Sequence, residues 1–68
     1  MLAENLVVLR NIRDLSQEDV AAVIGISRQS YSKWELGQTV PDIEKCARLA
    51  EFYGITMDAL IHQDEQMG

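Results

Sequence analysis

The chain has 68 residues and a formal net charge of −5, from six Lys and Arg against eleven Asp and Glu. That length admits one domain, which at this size buries only ~60% of the surface its unfolded chain exposes. A single cysteine, Cys46, excludes an intrachain disulfide, and no apolar run approaches the ~20 residues of a membrane span.

The run Leu6-Val7-Val8-Leu9 is too short for a signal-peptide core and is bounded by Glu4 and Arg10. A lone thiol in an apolar stretch suits a reducing compartment, so the expected setting is soluble and cytoplasmic, with Cys46 a small buried hydrophobe. The acidic balance argues at first sight against a nucleic-acid partner. Its distribution weakens that argument. From Arg10 to Gln38, the bases Arg10, Arg13, Arg28 and Lys33 match the acids Asp14, Glu18, Asp19 and Glu35. The excess lies in Glu4 and beyond Val40, where Asp42, Glu44, Glu51, Asp58, Asp64 and Glu65 face only Lys45 and Arg48. One face is therefore neutral or mildly basic and another acidic.

Leu2, Leu6, Leu9 and Arg13 recur at helical spacing, and that first helix is expected to end near Asp14, a residue that tolerates a left-handed exit. Ser16 reads as the cap of a second helix, with Asp19 three residues on in a capping-box arrangement. Val20, Ala21 and Ile24 mark its inner face and Gly25 its exit. Only Gly25-Ile26-Ser27 intervenes before a third helix, capped by Ser27 and running from about Arg28 to Leu36, with Gly37 behind it. Pro41 favours an extended predecessor, and Asp42 caps a fourth helix marked by Ile43, Cys46, Leu49, Ala50 and Tyr53. Gly54 ends it, and Thr56 caps a short fifth helix with Met57, Leu60 and Ile61. The expected domain covers residues 1–62 and leaves 63–68 as a polar tail.

Helices joined by a three-residue turn beginning with glycine form the unit that lays its second helix in the major groove of DNA. The first of the pair crosses the backbone, so its N-terminal amides and Gln17 meet a phosphate. On the second, Arg28, Gln29, Ser32 and Lys33 share one outward face by their spacing. Arginine and lysine pair with guanine O6 and N7, and glutamine with adenine N6 and N7. Val20, Ala21, Ile24, Ile26 and Tyr31 point the other way, into the core.

The stretch Leu15-Ser16-Gln17-Glu18-Asp19-Val20-Ala21, then Gly25-Ile26-Ser27-Arg28-Gln29-Ser30-Tyr31-Ser32-Lys33-Trp34-Glu35-Leu36-Gly37 and Pro41, resembles the lambda-repressor-like, Cro-type helix-turn-helix family. The likeness extends to Leu9-Arg10 upstream and to Leu49-Ala50, Gly54-Ile55, Asp58 and Leu60 downstream, covering about Leu6 to Ile61. It implies an all-α, five-helix DNA-binding domain, a homodimer on a two-fold symmetric operator, and a role in regulation, most often repression. It places Gln17 at the family's phosphate-contacting position and Arg28, Gln29, Ser32 and Lys33 on the DNA-facing side of the third helix. It also matches Arg10 and Glu35 to the family's buried arginine–glutamate pair. Tyr31 departs from the pattern: the family more often has an aliphatic residue there, so the hydroxyl needs water, a phosphate or another partner.

Several residues have two readings. Trp34 is either core or a surface aromatic whose indole N–H meets a phosphate. Ser27 caps a helix and also lies where a phosphate would pass. Ser30, Gln38 and Thr39 are either caps and solvated side chains or phosphate contacts. His62 reads as solvated. No glycine-rich phosphate loop, metal-ligand spacing or histidine beside a nucleophile points to an enzyme, and no cofactor is implied. The rival to a DNA-binding regulator is a protein-interaction module. Its partner would dock on the acidic Val40–Gly68 half or on an apolar patch of Met57, Leu60 and Ile61. In the family such a patch makes the homodimer.

Overall fold

Five backbone stretches form helices, and the residues between them explain where each stops. The computed structural model describes residues 2–62, so the polar tail expected at 63–68 lies outside the described residues. In chain order the helices are α1 (Leu2–Ile12), α2 (Gln17–Ile24), α3 (Arg28–Glu35), α4 (Ile43–Tyr53) and α5 (Met57–His62). The described chain is all-helical, as the periodicity predicts.

α1 ends two residues before the expected Asp14, which takes φ 57°, the left-handed exit its short polar side chain permits. Ser16 then caps α2: its hydroxyl accepts from the Asp19 amide at 3.0 Å, and Asp19 accepts from the Ser16 amide at 3.0 Å. This reciprocal pair is the expected capping box. Gly25 closes α2 at φ 90°, where a side chain would be strained. The amides of Gly25 and Ile26 both return to the Ala21 carbonyl, at 2.8 and 3.0 Å. Ser27 caps α3 by accepting from the Ser30 amide at 3.1 Å. Asp42 caps α4 through the Lys45 amide at 2.9 Å, and Thr56 starts α5 through the Ala59 amide at 3.0 Å.

The core gathers one stripe from each helix. It contains Leu6, Val20, Ala21, Ile24, Tyr31, Trp34, Cys46, Leu49, Ala50, Tyr53 and Leu60. Burying a side chain such as Leu6, Leu49 or Leu60 completely contributes about 1.5–3 kcal/mol. Cys46 is buried as expected, with its thiol 3.6 Å from the Pro41 carbonyl. Ile26 is only partly buried, packed against the core from the turn.

Polar ties that no periodicity reveals join the helices. The buried Asn5 amide donates to the Leu60 carbonyl at 2.6 Å, fastening α1 to α5. Arg13 and Arg48 donate to the last carbonyls of α4 and α2, at Tyr53 (3.1 Å) and Ile24 (3.1 Å). Cations at helix C-termini also meet the negative end of the helix dipole. Together these ties hold α1, α2, α4 and α5 against one another, the frame on which α3 packs.

Candidate nucleic-acid interface

α3 has an outer side defined by what its inner side buries. Tyr31 is fully buried, and Trp34 is 7% exposed, with its ring edge-on to Tyr31 at 5.7 Å between centroids. Arg28, Gln29, Ser30 and Lys33 are therefore turned outward and exposed, with Ser32 half-buried beside them. The first turn of α3 carries no acidic side chain. Four of the expected DNA-facing positions are thus exposed, Arg28, Gln29 and Ser30 in the first turn, at the positive end of the helix, and Lys33 in the last.

Behind that surface lies a saturated carboxylate. Glu35, with its side chain 5% exposed, accepts four hydrogen bonds. Arg10 donates from Nε to Oε2 at 2.7 Å and from Nη2 to Oε1 at 3.0 Å. Tyr31 donates its hydroxyl to Oε2 at 2.6 Å, and Gln17 donates Nε2 to Oε1 at 3.0 Å. Arg10 also donates to the Leu15 carbonyl at 2.9 Å. The arginine–glutamate pair is present where the resemblance places it, and it ties α1 to α3. Burial pushes the Glu35 carboxyl up, but the donors from Arg10, Tyr31 and Gln17 outweigh that and hold it below its ordinary value. Burial, reinforced by Glu35, pushes the Tyr31 hydroxyl well above the usual tyrosine range. Tyr31 thus finds the partner its departure from the family pattern requires, and the partner is Glu35 rather than water or a phosphate.

Gln17 stands at the start of α2, half-buried, with one side-chain amide hydrogen already on Glu35. The capping box engages the amides of Ser16 and Asp19, and Glu18 and Asp19 add negative charge in the first turn. Helix α2 therefore offers an anion less than a bare helix start would. Ser27 is occupied as a cap, and its hydroxyl lies 3.0 Å from that of Ser30. Gln38 and Thr39 lie exposed in the α3–α4 connection, their amides bonded to the Lys33 carbonyl at 2.9 and 3.4 Å.

Trp34 packs in the core beside Tyr31, the first of its two readings. One expectation changes. Leu60 is fully buried, so it is not part of an exposed apolar patch with Met57 and Ile61, which are half-buried. The helical spacing that aligned the three residues does not distinguish the inner from the outer side of a six-residue helix. The large exposed apolar side chains lie elsewhere, at Leu36, Val40 and Ile43 around the α3–α4 connection, Val8 and Ile12 on α1, and Val23 on α2. The bond from Tyr31 to Glu35 was within reach of sequence reasoning, because the two stand four residues apart on one helix. That from Gln17 to Glu35 links two helices and carries no local signal.

Residues 8–60 match the helix-turn-helix family. The chain is 40% identical over 57 residues to a cryptic-phage CTXphi transcriptional repressor, RstR, from Vibrio cholerae, an alignment covering 84% of this chain and 51% of that one. It is 36% identical over 62 residues to a helix-turn-helix transcriptional activator, BcrR, from Enterococcus faecalis, covering 91% of this chain and 30% of the relative. The fold superposes on a transcriptional regulator from Listeria innocua with a TM-score of 0.86 at 32% identity, covering 88% of this chain and 56% of the other. The chain thus spans about half the length, or less, of these relatives. No helix among the described residues is long and apolar enough to cross a membrane.

Proposed function

Because the chain belongs to the helix-turn-helix family, we propose that it is a sequence-specific, double-stranded DNA-binding transcriptional regulator that inserts α3 into the major groove. The observation that carries this reading is the outer side of α3: Arg28, Gln29, Ser30 and Lys33 lie exposed, with no acid in the first turn. Arg28, Gln29, Ser32 and Lys33 read base edges, while Gln17, Ser27, Ser30, Gln38 and Thr39 set the register on phosphates. Trp34 contributes by holding α3 from behind.

Repression is the proposed sense of regulation, following the resemblance to RstR, although BcrR is an activator on the same kind of domain. Two copies on a palindromic operator place their α3 helices about 34 Å apart, one turn of B-DNA. Of the expected contact residues, Met57 and Ile61 retain exposed surface for a second copy. Control then follows concentration, since a weak dimer assembles as it accumulates.

A fluorescence-anisotropy titration tests this against the DNA upstream of the chain's own coding sequence, with Arg28→Ala as the comparison. Saturable binding that the variant loses supports the reading. Because few basic residues face outward, the salt dependence is shallow; a slope equivalent to ten or more released ions contradicts the charge map. A folded protein that binds no duplex at low salt shifts the reading to a protein-interaction module, for which Ile61→Asp is the informative variant. Leu60→Asp is not, because it places a charge in the core.

A further inference from the structure

The four-bond environment of Glu35 has a consequence for Gln17. A glutamine amide nitrogen carries two hydrogens. Glu35 Oε1 takes one of them at 3.0 Å, which fixes the side chain and leaves the other hydrogen to donate outward. Left alone, a carboxylate at this position would repel a phosphate. The Arg10 guanidinium, in contact with both oxygens, neutralises it, and the side chain is only 5% exposed. We propose that Glu35 is a positioning residue for DNA binding, holding the Gln17 amide in the orientation that meets a phosphate without touching DNA itself. This rests on the DNA-binding reading above.

The chemistry favours this role over a purely structural ion pair. Arg10 and Tyr31 alone would satisfy three of the four acceptor positions of the carboxylate. The fourth is filled by the side chain that begins the neighbouring helix, the one segment that must stay in register with α3. A free glutamine samples many rotamers, and ordering it on binding costs side-chain entropy. Holding it in advance removes that cost from the encounter with DNA.

The test is a double-mutant cycle on operator affinity, with Gln17→Ala, Glu35→Asp and the pair. Glu35→Asp keeps the charge and shortens the arm by one methylene; the long Arg10 side chain can follow it, whereas Gln17 cannot. The expected result is that Gln17→Ala weakens binding about tenfold in the unaltered protein, the size of one lost hydrogen bond to a charged group. In the Glu35→Asp background the same change weakens it less than about twofold. Losses that multiply overturn the proposal. A second measurement needs no DNA: the side-chain scalar couplings of Gln17 report one rotamer by NMR in the free protein, and averaged values in Glu35→Asp. Averaging already present in the unaltered protein overturns the proposal independently. Failure of the unaltered protein to bind any duplex overturns the DNA reading and this role together. Tight binding with multiplying losses overturns this role alone.

Discussion

The chain uses one helix-joining device twice, and the two copies end in different helices. α2 leads through Gly25-Ile26-Ser27 into α3, and α4 leads through Gly54-Ile55-Thr56 into α5. Both glycines are left-handed, at φ 90° and 70°. Both isoleucine amides return to an alanine carbonyl at 3.0 Å, from Ile26 to Ala21 and from Ile55 to Ala50. Both hydroxyls cap the following helix. Even the core positions correspond: Val20, Ala21, Ile24 and Tyr31 in the first unit match Leu49, Ala50, Tyr53 and Leu60 in the second, all buried. What differs is the outer side. Where α3 presents Arg28 and Gln29, α5 has Met57 and Asp58, with Met57 packed against the core. A tight glycine turn between two helices is therefore common to both units, and the proposed DNA-reading role of α3 rests on the exposed side chains of that helix alone.

This contrast is sharpened first at the matched core positions. Leu60→Ala should destabilise the fold by about 2–5 kcal/mol, as large-to-small core changes do. Ile61→Ala should cost well under half of that in a urea titration. Equal effects would put the inner side of α5 elsewhere than the structure has it. Next in size is the ion pair behind α3. Arg10→Ala should cost about 3 kcal/mol, the low end for a broken buried pair, because Tyr31 and Gln17 still donate to the stranded carboxylate. The same variant should lose more stability than Arg13→Ala, which removes a hydrogen bond to the Tyr53 carbonyl but strands no buried charge.

Smaller, and specific to the outer side, is Arg28→Ala. It should lower operator affinity by about 1–3 kcal/mol with the melting temperature unchanged. Asp58→Ala on α5 should leave affinity where it was. The caps come last: Ser27→Ala and Thr56→Ala should each cost about 1 kcal/mol in thermal unfolding, as N-cap losses do. Only the first should also weaken DNA binding. On the acid side, Glu35 is held below its ordinary value in the fold. Its stabilisation is therefore complete above the unfolded carboxylate range and is lost as pH falls through the lower folded value. Asp19 and Asp42, held down by hydrogen bonds at the helix starts they cap, add to the same trend. A stability profile rising toward acid pH would contradict this arrangement.

Most of the frame was legible because it rests on local rules. Ser16, Ser27, Asp42 and Thr56 each bond an amide three residues on, and such pairs can be read along the chain. Gly25 and Gly54 mark exits for the same reason. The outer side of α3 was legible because its spacing groups Arg28, Gln29, Ser32 and Lys33 and leaves Tyr31 to continue the inner face of α2. α5 was not, because six residues give barely more than one turn and a half. There Leu60 and Ile61 are adjacent, and only the packing of α1 and α4 decides that Leu60 goes in. Trp34 had two readings because a large ring with a polar N–H suits either side of a helix, and the tertiary packing beside Tyr31 decides its place. The Asn5 bond to the Leu60 carbonyl and the Gln17 bond to Glu35 span separate helices, so they depend on the assembled tertiary fold.

α3, and not its counterpart α5, is the helix proposed to meet DNA. An NMR titration of the isotope-labelled protein with a duplex chosen by in-vitro selection tests it most directly. The account predicts that the largest amide shifts at saturation fall on Ser27 to Lys33, with Gln17 and Thr39 beside them. Shifts concentrated in Thr56 to His62, with α3 unmoved, would contradict it.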